Sequence, residues 1–211
     1  MGVRQLQKER TRQAFMQAAL DMVADDRSFT SISLREITAK VGVVPTAFYR
    51  HFADLDCLGV AIVSEVLPAL RQELKLRRQK IRDSVSLVET SVNTYFDYVL
   101  ARRKEFLFCG REITGGSRKI RSALRLEIFA FSRELADDIS HIPPVRGLDD
   151  DDIFAIADLM VRAILTTAQD LAGISQYPEA VETLRLRTIK QIKMVVIGAE
   201  HWPRRAVPAR S

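Results

Sequence analysis

The chain has 211 residues, 47% of them apolar and 28% charged, with a net charge of +5. That balance excludes a disordered chain and fits one large globular domain, or a small one joined to a larger. No apolar run reaches the roughly 20 residues that span a bilayer. The longest candidate, IFAIADLMVRAILTTAQDLAG, is broken by Asp158, Arg162 and Asp170, and the opening MGVRQLQKERTRQAF has no apolar signal core. A cytoplasmic protein without membrane insertion is expected.

Residues 1 to 52 hold eight lysines and arginines against five acids, an excess of three. Residues 200 to 211 hold three arginines against Glu200, and the segment between is neutral. A basic first segment on a neutral body is the footprint of a polyanion-binding head. Cys57 and Cys109 stand alone, outside any CxxC or Cys/His cluster, and read as small buried residues.

The spacing of Phe15, Ala18, Ala19, Met22 and Val23 predicts a helix over 4–26, with Arg4, Lys8 and Arg12 on another face. DDRSFTS breaks it. Ser33 and Glu36 form a Ser-x-x-Glu capping box that opens a short helix through Lys40, striped by Leu34, Ile37 and Val41. Gly42 stands where a helix ends in the left-handed region, and Pro45 suits the first turn of the next. A third helix is therefore predicted from Pro45 to Phe52, and a fourth, capped by Asp54, to about Arg78.

Beyond Arg82 the pattern stays helical, with helices predicted at 84–103, 105–113, 117–140, 149–173 and 178–199. Gly115, Gly116, Pro143, Pro144, Gly147, Gly173 and Pro178 punctuate them. GLDDDD places acids at a helix N-terminus, where they complement the dipole. The tail from 201 to 211 is expected to be disordered. The fold class expected is all-α, with a head at 1–53 and a body at 54–200.

Helix, tight turn and helix, with glycine in the turn, is the helix-turn-helix plan: the first helix braces on the DNA backbone and the second enters the major groove. Thr46 can exchange a hydrogen bond with a base edge, and Ala47 can meet a thymine methyl. Tyr49, Arg50 and His51 suit phosphate contacts, as does Ser33 with the N–H groups behind it. Arg4, Arg35 and Pro45 complete the candidate surface, while Phe48 and Phe52 turn into the core. Plainer roles stay open: Tyr49 and His51 as packing at a helix junction, Arg35 and Arg50 as solvated charge.

The segment SLREITAKVGVVPTAFYRHFADLDCLGVAIV, behind a basic helix, resembles the DNA-binding head of TetR-type repressors. GVRQLQKERTRQAF and PTAFYRHFADLDCLG are most similar to the FabR/DesT group, bacterial repressors of unsaturated fatty-acid synthesis. The likeness is strong over about residues 2–62 and weaker through REITGGSRKIRSAL. Two positions depart from the pattern. Thr38 stands where alanine is common, and Asp54 and Asp56 stand where many such proteins carry a phosphate-binding lysine. The resemblance implies a cytoplasmic, nucleoid-associated homodimer bound to double-stranded operator DNA. It also implies control by an effector, a long-chain acyl-CoA or other acyl thioester, with no cofactor or metal.

In the body, Ile153, Ile156, Met160 and Ile164 form one apolar stripe on the helix from 149, and Phe154, Ala157, Val161 and Leu165 form its neighbour. An arc that wide is buried from two sides, one of which can be a partner subunit. Phe96, Phe106, Phe108, Phe129 and Phe131 are core residues or, as a group, the lining of an effector cavity. Arg118, Arg121 and Arg125 share a helical face beside an apolar one. They are either a solvated surface or the seat of a phosphate-bearing head group, with Arg111 at its mouth. An uncharged lipophilic ligand, as in drug-responsive repressors, is the second reading. An enzyme is a poor third: the only histidines are His51, His141 and His201, and GxSxG, HExxH and phosphate-cradling glycine loops are missing.

Overall fold

The computed structural model describes residues 2–79, 81 and 83–204. Of the expected disordered tail, residues 205–211 lie outside the described residues. Among the described residues there are nine α-helices and no strand, the all-α class that the periodicity predicts. None of these helices is long and apolar enough to cross a membrane.

The chain forms two compact units, Met1–Pro68 with Arg102–Arg125, and Ala69–Ala101 with Leu126–Ser211. This division differs from the one at residue 53 because the first turns of α4 (Leu55–Arg78) belong to the first core, where Leu58, Ile62 and Val63 are fully buried. Chain from 102 to 125 returns to the same core through α6 (Arg103–Glu112) and the start of α7 (Arg118–Ile139).

In the first unit, α1 (Val3–Ala24) packs on α2 (Leu34–Val41) and on α6. Phe29 meets Phe108 edge-on at 5.2 Å. The capping box forms as the sequence predicts: Glu36 N–H donates to Ser33 Oγ at 3.3 Å, and Ser33 N–H donates to Glu36 Oε2 at 2.9 Å. Gly42 ends α2 at φ 76°, and Val43 N–H closes back onto the Thr38 carbonyl at 3.0 Å. Thr38, in place of the smaller alanine, is buried with its hydroxyl on the Arg35 carbonyl at 3.1 Å, so it adds no orphan polar group.

The helix after the turn is shorter than predicted. Regular α3 covers Pro45–Phe48, after which the Arg50 and His51 N–H groups bond back only three residues, at 3.3 and 2.8 Å. The turn tightens where Phe48 and Phe52 both settle on Phe15, their ring centroids 5.2 and 6.4 Å from it. Asp54 caps α4, accepting the Cys57 N–H at 2.6 Å. Cys109 is buried, and burial pushes its thiol up to about 12; Cys57 is half-buried rather than buried.

In the second unit, α5 (Ser84–Ala101) packs on α8 (Asp150–Ile174) and on α9 (Pro178–Glu200), and α8 packs on α9. Asp149 caps α8 by accepting the Asp152 N–H at 2.8 Å. Arg71 joins Glu127 and Glu134 at 3.0 and 3.2 Å, tying α4 to α7. Arg185 sits 5.1 Å over the Phe96 ring and pairs with Asp97 at 3.0 Å, tying α9 to α5.

Three carboxylates of the first unit are held near the acid end of their range. Bonds from Arg27 and Ser33 lower Glu36 from its usual 4.5 to about 2. Lys119 and the Cys57 N–H lower Asp54 to about 2. Burial would raise Asp21, but Lys104, Gln17 and Lys40 outweigh it and bring it to about 2. A carboxylate whose folded pKa is depressed stabilises the fold above its unfolded value, and that stability is lost as pH falls through the folded one. The urea midpoint is therefore expected to hold down to about pH 4.5 and to fall between there and about pH 2. Glu36→Gln combined with Asp54→Asn should flatten that fall, and an unchanged acid profile in the double variant would deny these carboxylates the role.

Candidate DNA interface and ligand cavity

The first unit carries a groove of about 490 Å³ between α1 and the α2–α3 turn, lined by Arg4, Gln7, Lys8, Thr11, Val43, Ala47, Arg50 and His51. Three of these are cations and none is acidic, so the groove attracts an anion. It brings together Arg4, Ala47, Arg50 and His51 from the sequence-derived set and adds Lys8 and Gln7, which α1 supplies one turn apart from Arg4 and Thr11.

Pro45, Thr46 and Tyr49 are exposed on α3 and the turn after it, Tyr49 with 62% of its surface open. Such exposure on a four-residue helix is available for base edges and phosphates. Ser33 and Arg35 are exposed at the start of α2, but the Ser33 hydroxyl already donates to Glu36 at 2.7 Å. Ser33 therefore offers an anion its helix N-terminus more than its side chain. Asp54, in place of the lysine, is neutralised by Lys119 at 2.7 Å from within the same unit.

His51 is half-buried, edge-on to Phe15 at 5.7 Å, and its Nδ1 is buried with no hydrogen-bond partner. Burial lowers its pKa from the usual 6.5, and repulsion from Lys8, Arg12 and Arg50 lowers it further. Glu9 opposes part of that repulsion, and the balance disfavours the charged imidazole in the free groove.

The second unit encloses an apolar cavity between α4, α5, α7, α8 and α9. Its walls include Leu74, Leu87, Val88, Val92, Leu135, Met160, Val161, Ile164 and Ile192, and the void between them is small, about 50 Å³. Ligand pockets run to about 300–1,000 Å³, so a bulky guest requires these walls to part. Polar atoms are few. Ser91 Oγ is buried with no partner, although Ser132 and Thr188 on neighbouring helices bond the carbonyl four residues back.

Of the candidate ligand residues, Phe131 alone lines this cavity. Phe96 lies under Arg185, and Phe129 is 55% exposed with its ring on Phe154 at 5.6 Å. Phe106 and Phe108 are buried in the first unit. Arg111 bonds the Val23 carbonyl and Asp26, fastening α6 to the end of α1 rather than pairing with Glu112. Arg121 bonds the Gly115 carbonyl; Arg118 and Arg125 are exposed, and none of the three lines the cavity. Tyr95, which the sequence groups with these aromatics, does line the cavity, but sequence reasoning missed Leu87, Val88, Ser91 and Val92 beside it on α5, which read as ordinary core. Their one signal is a serine at a position every neighbour marks as apolar.

This arrangement of helices is that of the TetR-type regulators. No protein-family model matches the chain. Among solved structures, the fatty acid degradation regulator FadR from Bacillus halodurans aligns with a TM-score of 0.70 and 12% identity, over 89% of this chain and 95% of that one. The transcriptional regulator FadR from Bacillus subtilis, solved in complex with stearoyl-CoA, aligns at 0.66 and 13% identity, over 85% and 96%. A TetR-family transcriptional regulator from Streptomyces coelicolor aligns at 0.67 and 17% identity, over 94% and 83%. Each of these neighbours is described as a regulator, and the likeness is one of fold.

Two measurements test the groove. Lys8→Ala and Arg50→Ala should weaken binding to all duplexes alike and each lower the salt slope by about one ion, whereas Thr46→Val should change the ranking of operator variants by about 1–3 kcal/mol. A DNA phosphate placed beside His51 would favour its charged form, so binding there would take up a proton and affinity should rise as pH falls toward the lowered value of the free group. His51→Gln should remove that slope; a slope of the same size in the variant would assign it elsewhere.

Proposed function

We propose that the chain is a DNA-binding transcriptional repressor whose operator affinity is set by a long acyl chain, carried as acyl-CoA or another acyl thioester. The observation that carries the DNA half is the acid-free basic groove beside an exposed, proline-started α3. The effector half rests on the apolar cavity enclosed by five helices, on the likeness of fold to a regulator solved with stearoyl-CoA, and on the FabR/DesT resemblance of the head. The target genes then belong to lipid metabolism, with unsaturated fatty-acid synthesis the first choice. An uncharged lipophilic effector is the second reading. It is favoured by one fact: Arg118, Arg121 and Arg125 do not line the cavity.

A repressor with one short recognition helix per chain reads too few bases alone, so a two-fold pair with half-sites about 34–36 Å apart, or a related spacing, is part of the proposal. The second unit offers a face for it. Leu159 on α8 and Trp202 just beyond α9 are each more than half exposed and line an apolar groove of about 310 Å³ with Ile156 and Val195, and Met194 and Ile197 on α9 are likewise more than half exposed. Ile164 and Leu165, which the sequence stripes share with that face, line the cavity instead.

The deciding experiment is binding to the protein's own upstream DNA with saturated and unsaturated acyl-CoA added separately. The unsaturated thioester is expected to strengthen binding and the saturated one not to. Equal affinity with either at saturation would remove chain sensing and leave the uncharged-ligand reading. For assembly, Leu159→Glu with Ile197→Glu should yield monomers in sedimentation and weaken operator binding. A tight, DNA-competent dimer of that variant would place the interface elsewhere.

A further inference from the structure

Beside the apolar cavity lies a second, polar space of about 480 Å³, lined by Arg78, Gln79, Ile81, Leu87, Asp138, His141, Ile142 and Arg146. Among the described residues, Arg78, Leu87 and Ile142 line both spaces and so border the oily interior and the polar mouth alike. Arg78 is the unusual one. It is 5% exposed, and its Nε and Nη2 both donate to one oxygen, Asp138 Oδ2, at 3.1 and 2.7 Å. Asp138 keeps more of its surface open than Arg78 does, 23% against 5% for the side chains. The arginine is thus the fixed member of the pair and the aspartate the one nearer water.

A buried guanidinium at an apolar wall needs an anion, and here that anion is supplied from the solvent side. Two further basic side chains, His141 and Arg146, line the same mouth; the Arg146 Nη2 reaches the His141 carbonyl at 3.4 Å, and the His141 Nδ1 lies 2.8 Å from Ser140 Oγ. Among the described lining residues, Arg146 is the second permanent cation and Asp138 the one acid. Arg118, Arg121 and Arg125 do not line the mouth.

We propose that the Arg78–Asp138 pair is a latch at the mouth of the cavity, and that the ligand is an amphiphile whose anionic head takes the place of Asp138 on Arg78 while its chain enters between Leu87 and Ile142. The inference rests on the acyl-chain reading above and adds the position and sign of the head group. An anion arriving from the mouth meets His141 and Arg146 first, then exchanges with the Asp138 carboxylate on a guanidinium that does not have to move. A neutral head cannot make that exchange, and it leaves the latch closed. The shared chemistry is an anion on a long chain; a free fatty-acid carboxylate and the phosphates of an acyl-CoA both supply it.

Calorimetric titration of the full chain with hexadecanoate, hexadecanoyl-CoA and hexadecanol tests this. At least one anionic probe should bind about tenfold tighter than the alcohol, an advantage suited to a charge-assisted bond. A preference for hexadecanoate identifies the free carboxylate as the head, and a preference for the thioester identifies the phosphates. Asp138→Asn removes the rival carboxylate without removing the arginine, and should tighten the anionic probe about tenfold while leaving hexadecanol unchanged. Arg78→Met should erase the anion advantage; if it does not fold, Arg78→Met with Asp138→Leu removes both charges together and should give the same result. Anion and alcohol binding equally in the wild type, or shifting together in Asp138→Asn, overturns the latch and leaves the acyl cavity standing. Failure of all three probes to bind overturns both.

Discussion

Phe48 fixes where α3 can point, and the rest of the DNA groove follows from it. A helix of four residues has too few internal bonds to hold itself. Fully buried and edge-on to Phe15, Phe48 anchors α3 to α1, while Gly42 at φ 76° sets the angle at which the chain arrives. With both ends determined, the side chains on either side of Phe48 have no choice of direction: Thr46 and Tyr49 face outward, and Ala47 closes the groove against Arg4 and Lys8. Truncating Phe48 would cost both its buried surface and this alignment. The stretch PTAFYRHF, with proline before a crowd of aromatic and basic residues, is thereby explained as a short helix pinned by rings.

The same economy shows in how charge is distributed. Arg27, Lys104, Lys119 and Arg111 all sit in the first unit, and each is bound to an acid or a carbonyl. Lys8 and Arg50 take no part in these ion pairs and line the groove instead. Formal net charge is a poor guide to an interface for this reason. What counts is which cations the fold leaves uncommitted on one surface.

Much of the fold was legible because its signals are local. Ser33 with Glu36, Gly42, Pro45, Asp54 and Asp149 each act within four residues of themselves, and each does in the structure what its chemistry predicts. Pro45, Thr46, Ala47, Tyr49, Arg50 and His51 could be named as DNA candidates for the same reason, lying together on α3 and the turn after it, whereas Arg4, Ser33 and Arg35 come from other elements. The cavity was not. Its walls come from five helices, and the α5 face that supplies Leu87, Val88 and Val92 has the same periodicity whether it packs on a neighbour or on a void. The arginine stripe on α7 misled because helical spacing places three arginines on a face without saying what that face meets. Arg78, at the end of α4 among Lys75 and Arg77, is buried, and nothing in the local sequence separates it from the two basic residues beside it. Phe106 and Phe108 misled because residues 102–125 return to the first unit, a long-range event that no local pattern records.

A cavity of about 50 Å³ also constrains how a ligand could act. An effector changes an equilibrium only by binding one arrangement better than another. A preformed pocket of full size would accept a chain without moving, and filling it would do little to any other part of the protein. Here a long acyl chain would have to part Leu74 and Arg78 on α4 from Phe131 and Leu135 on α7, so its binding and that displacement would be the same event. In the first unit, the same two helices supply Leu58 and Ile120 to its core, where a side chain at residue 59 would press on the end of the Ile120 side chain. Straight and bent chains that part the walls by different amounts would meet different resistance, which is the physical basis on which saturation could be sensed at all.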